Sequence, residues 1–63
     1  MKEYNVSFNT EKLTGVQLSE IVKMANEMDE SARFWGASTL LHINTDNIYL
    51  CRQLRDYKVL FNA

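Results

Sequence analysis

Proline is absent from this sequence, and glycine, cysteine, histidine and tryptophan together account for only five of its 63 residues. With no proline-rich or glycine-rich stretch there is no linker to divide the chain, so residues 1–63 are read as one domain. The lone Cys51 excludes an internal disulfide. Cys51 and His42 are the only soft ligands, where a structural zinc site uses four, so no metal or other cofactor is expected. Neither Gly15 nor Gly36 stands in a G-x-G or G-K context, which excludes a phosphate-cradling loop.

Long apolar runs are missing as well. Nothing approaches the ~20 residues that cross a bilayer, and "MKEYNVSF" lacks the apolar stretch of a signal peptide. The chain is expected to act in the cytoplasm without membrane contact, which makes the sequon Asn5-Val6-Ser7 a coincidence. Net charge is only −1, far from the basic excess of an evident nucleic-acid binder. It is unevenly spread. Residues 1–30 carry three lysines against six acids, and residues 31–63 carry four basic residues against two acids.

What remains is material for a small core. Hydrophobic residues make up 46% of the chain, with three Phe and three Tyr. A domain of this size buries only about 60% of its unfolded surface, and such domains usually lean on disulfides, a metal or a partner subunit. With the first two excluded, a homodimer is the remaining support, and a well-packed monomer the alternative.

"EYNVSFN" alternates, with Tyr4, Val6 and Phe8 on one face and Asn5, Ser7 and Asn9 on the other, the period of a half-buried strand. "TGVQLSEIVKMANEM" predicts a helix. Thr14 and Gln17 form a capping box, and Leu18, Ile21, Val22, Ala25 and Met28 share one stripe opposite Glu20, Lys23 and Glu27. Continued past Met28, that helix would place Asp29 in the buried stripe, where an unpaired carboxylate is costly. The chain is therefore expected to break there, with Asp29 capping a short second helix over about 30–36 that Gly36 closes in a left-handed turn.

Downstream, Thr39–Asn44 and Ile48–Leu54 flank Thr45-Asp46-Asn47 and predict a hairpin, with Tyr57–Phe61 as a further strand. A rival pattern runs through the same residues: Leu50, Leu54, Tyr57 and Phe61 recur at helical spacing. "NIYL" and "YKVLF" prefer strands, so the hairpin is taken. The expected fold is α+β: a small two-layer domain of order β-α-(short α)-β-β with a fourth strand as an option. Its helix packs on one face of an antiparallel sheet.

No catalytic set is complete. Cys51 and His42 would face each other across the hairpin in one register, but no adjacent group supplies an oxyanion hole, and a buried thiol with a strand histidine is the plainer reading. Asp29 and Glu30 are adjacent and point apart on a helix. The chain is therefore expected to be no enzyme, but a binding protein that regulates or inhibits a larger protein partner, of the size made in number by phages and other mobile elements. Trp, Tyr and Arg are the commonest interface anchors. The expected contact surface is Arg33, Phe34 and Trp35 with the basic Arg52/Arg55 edge, although Trp35 by its bulk is expected in the core. The alternative is a small dimeric nucleic-acid-binding regulator. It would use Asn5, Ser7, Asn9 and Lys12 on the first strand, or Arg52 and Arg55 beside Tyr49 and Tyr57 in the C-terminal hairpin.

Overall fold

A computed structural model describes residues 2–63. In chain order it contains β1 (Tyr4–Asn9), a 3-10 turn (Thr10–Lys12), α1 (Gly15–Met28), β2 (Arg33–Ala37), β3 (Leu40–Thr45) and α2 (Ile48–Leu60). The strands form one antiparallel sheet of order β1-β3-β2. This is the expected α+β class, with the helices on one face of the sheet.

The core follows from strand parity. Val6 pairs with Ile43 and Ile43 with Phe34, while Phe8 pairs with Leu41 and Leu41 with Gly36. Those residues share the inner face. Val6, Phe8 and Ile43 there are buried with Ile21 and Ala25 of α1 and Leu50, Cys51 and Leu54 of α2. α1 starts as its capping box dictates: the Gln17 N–H donates to Thr14 Oγ1 at 3.1 Å, and the Thr14 N–H to Gln17 Oε1 at 3.0 Å.

The break at Asp29 holds, but the carboxylate does not cap a second helix. Oδ1 accepts from the Ser31 N–H (3.0 Å) and the Ser31 hydroxyl (2.7 Å), and Oδ2 accepts from the Thr45 hydroxyl (2.6 Å). Thr45 is itself buried and accepts from the Asn47 N–H at 3.0 Å. Asn47 then donates its amide to the Met28 carbonyl and caps α2, accepting from the Tyr49 and Leu50 N–H groups. The two chain reversals at this end of the sheet are thus joined by one polar network.

Two element assignments differ from the sequence reading. Residues 33–37 form β2 instead of a short helix, because alternation puts Phe34 against the core and Arg33 and Trp35 outside, where β3 supplies backbone partners. Gly36 keeps a negative φ and caps nothing. The turn between β2 and β3 falls on Ser38, at φ 57°. The true hairpin is therefore β2–β3. Residues 48–60 are the rival helix, and neither the Ile48–Leu54 strand nor the Tyr57–Phe61 strand forms. Helical spacing buries Leu50 and Leu54 together, next to Cys51, and Asn47 provides the cap that a glycine-free turn at 45–47 could not replace.

The donors around Asp29 hold its carboxyl below the ordinary value of 3.8, the Thr45 hydroxyl most strongly and the Ser31 hydroxyl next. Since the folded-state value lies below the unfolded one, the stabilisation is full above that ordinary value and is lost as pH falls through the folded value. Urea titrations at stepped pH will show stability declining below about pH 4, with a shallower decline in Asp29→Asn. In the core, Leu54→Ala will cost about 2–5 kcal/mol in urea denaturation at neutral pH, a large fraction of what so small a domain possesses.

Candidate functional site

Both helices lie on the Val6/Phe8/Ile43 side, so among the described residues no layer covers the opposite face of the sheet. The register sets out that face in three rows: Asn5, Asn44 and Arg33; Ser7, His42 and Trp35; Asn9, Leu40 and Ala37. At its centre the Trp35 and His42 rings stack, with centroids 4.0 Å apart and planes inclined by 15°. The indole nevertheless remains 48% exposed and Leu40 39%. His42 Nδ1 is shielded from solvent and has no hydrogen-bond partner among the described residues.

The first row is polar and internally satisfied. Asn5 Nδ2 donates to Asn44 Oδ1, Asn44 Nδ2 donates to Glu3 Oε1 at 2.9 Å, and Arg33 pairs with Glu3. Both members of that ion pair are about half exposed (51% and 50%), so it orients the arginine more than it stabilises the fold. A neutral, partly aromatic surface results, with its charges cancelled at one rim.

The expected contact residues are divided by this architecture. Arg33 and Trp35 lie on the open face, and Trp35 is not core. Phe34 points the other way, half-buried against the core cluster. Arg52 and Arg55 are exposed on α2, which lies on the far side of the sheet from Trp35. Of the residues considered for nucleic acid, Asn5, Ser7 and Asn9 share the face with Trp35, but Asn9 is engaged as the cap of the 3-10 turn, accepting from the Glu11 N–H at 3.1 Å. Lys12 lies in that turn, exposed. Tyr57 is stacked on Phe61 and packed against the core, so it offers no free ring beside Arg55.

Cys51 and His42 are not brought together. The thiol is buried on α2, whereas the imidazole stands on the outer face of β3. Among the described residues no group of three or more His, Cys, Asp or Glu side chains is placed to hold a metal ion, and no helix is long and apolar enough to cross a membrane. Leu40, His42 and Asn44 are the surface residues that sequence reasoning missed. Their signal lies in the apolar pair Leu41 and Ile43: with those two inward, strand alternation puts 40, 42 and 44 outward.

If the indole is surface, Trp35→Ala will cost only about 1–2 kcal/mol in urea denaturation, from half its area and one ring pair, with an unchanged far-ultraviolet circular dichroism spectrum. A loss as large as that of Leu54→Ala would make the ring a core element. Comparison of the chain with known protein families, curated proteins and solved structures yields no match.

Proposed function

We propose that this chain is a non-catalytic binding protein that docks on a larger protein partner and regulates or inhibits it, with the open sheet face as its contact surface. The observation that carries the reading is the Trp35–His42 stack. A half-exposed indole on the edge strand β2 stacks on His42 of the central strand, with Leu40 near it and Asn5, Ser7 and Asn44 on the same open face. An exposed aromatic pair beside polar neighbours matches the anatomy of a protein contact, with the aromatic as its energetic anchor. By analogy of size, we extend the reading to the intracellular regulators of phages and mobile elements.

Nucleic acid is the second reading, favoured by the asparagines lying beside stacked rings on one face. Charge argues against it. Arg33 is neutralised by Glu3, and the free arginines of α2 lie on the opposite side of the molecule. A polyphosphate would meet little attraction at the face that carries the rings.

Affinity capture from lysate of the producing cell will recover a protein partner. Trp35→Ala will reduce recovery at least tenfold, about 1.4 kcal/mol or more, and Arg52→Ala with Arg55→Ala will leave it intact. Recovery indifferent to Trp35, in a variant that remains folded, refutes the choice of surface. Salt-steep gel shifts on mixed DNA and RNA that disappear with Arg33→Ala would move the assignment to nucleic acid.

A further inference from the structure

The two edges of the sheet end differently. On β1 the outward backbone is engaged toward its C-terminal end: the Asn9 N–H donates to the Ala63 carbonyl at 2.8 Å, and Lys58 Nζ donates to the Ser7 carbonyl. Those bonds also set the phase of the whole ladder. With Ser7 and Asn9 turned away from β3, residues 40, 42 and 44 bond toward β2, and residues 33, 35 and 37 bond back. The N–H and C=O groups of Phe34 and Gly36 therefore point outward, along an edge that carries neither proline nor lysine within the strand.

Above that edge the helical layer is too wide for the sheet. Two helices side by side span about 20 Å, whereas three strands span about 14 Å. α2 covers β1 and β3, and α1 packs beside α2, so the excess falls on the β2 side. Met24 and Met28 on one flank of α1 pack on the core, but Leu18 and Val22 on the other flank are only half-buried and do not join it. Given the right-handed sense of a β-α-β crossover, that second flank turns toward the free edge. An open hollow of about 660 Å³ on the outer side of that flank is lined by Leu18, Val22, Lys23 and Glu27 with Ser19 and Asn26, all from α1.

We propose that an extended segment of the partner protein adds to β2 as a fourth strand, beneath the Leu18/Val22 flank of α1. This rests on the protein-docking reading and names its mode. Unpaired strand hydrogen bonds accept another strand and little else. The side chains on the helix side of the incoming segment meet Leu18, Val22 and Phe34 and are aliphatic; the alternate ones lie beside Trp35. A second copy of this chain is the wrong occupant. It would bring its own α1, and four helices about 10 Å wide do not fit on six strands spanning about 29 Å.

The test uses a displayed library of random ten-residue peptides selected on the intact chain, with the selected peptides added to the isotopically labelled protein. Enriched peptides will carry aliphatic residues at alternate positions and slow amide exchange at Phe34 and Gly36 at least tenfold. Gly36→Pro removes one outward donor at an edge position where proline is tolerated, and it will weaken binding at least tenfold. N-methylation of alternate peptide amides serves the same purpose if that variant does not fold. Failure to enrich any peptide, shifts confined to Asn5, Ser7 and His42, or dimerisation through β2 in sedimentation each overturn the proposal. A captured partner lost with Trp35→Ala but retained by folded Gly36→Pro overturns strand addition and leaves the docking reading standing.

Discussion

One carboxylate organises the end of the molecule where α1 turns into β2 and β3 turns into α2. Asp29 follows Met28 in a position that would continue the apolar stripe of α1, and a charge there has to leave the core or be satisfied. It is satisfied by Ser31 and by Thr45, the buried polar residue at the end of β3. Thr45 passes the connection to Asn47, which closes on the Met28 carbonyl and starts α2. The helix end, the entry to β2 and the β3–α2 corner are therefore located relative to one another by side-chain hydrogen bonds. A domain with so few buried side chains gains a defined topology from this network that packing alone would leave loose.

The rest of the architecture is set by an imbalance between layers. Fully buried residues come from β1, β3 and both helices, whereas β2 contributes the half-buried Phe34. A two-layer sandwich with helices on one side necessarily leaves the other side of the sheet in water. Here that side carries a stacked indole and imidazole with asparagines on the same face. The two edges repeat the contrast, one engaged at Ser7 and Asn9 by the C-terminal residues and the other without such bonds among the described residues.

Legibility in the sequence followed how many independent signals each segment carried. β1 has clean alternation, and α1 has a capping box, an apolar stripe and a charge that ends it; both stand as expected. In "ARFWGA" the same residues satisfy two periods, since Ala32 and Trp35 extend a helical stripe while Phe34 and Gly36 alternate with Arg33 and Trp35. Only β3, lying between β1 and β2, supplies the backbone partners that make the strand form prevail. Residues 48–60 are the converse case. "NIYL" and "YKVLF" carry strand propensity, yet Leu50, Cys51 and Leu54 can all be buried only on a helix, and tertiary burial outweighs local preference.

The chain by itself determined the α+β class, the strand at residues 4–9, the capped helix, its end at Asp29 and the inward set Val6, Phe8, Ile21 and Ala25, because each is written in short-range periodicity or in a local hydrogen bond. Only the tertiary structure decided that Trp35 lies outside, that Phe34 and Trp35 face opposite ways, and that Arg52 and Arg55 stand apart from both. Those outcomes depend on which strand pairs with which and in what register. A shift of one residue exchanges the two faces of a strand, and no local pattern in a five-residue edge strand specifies that choice.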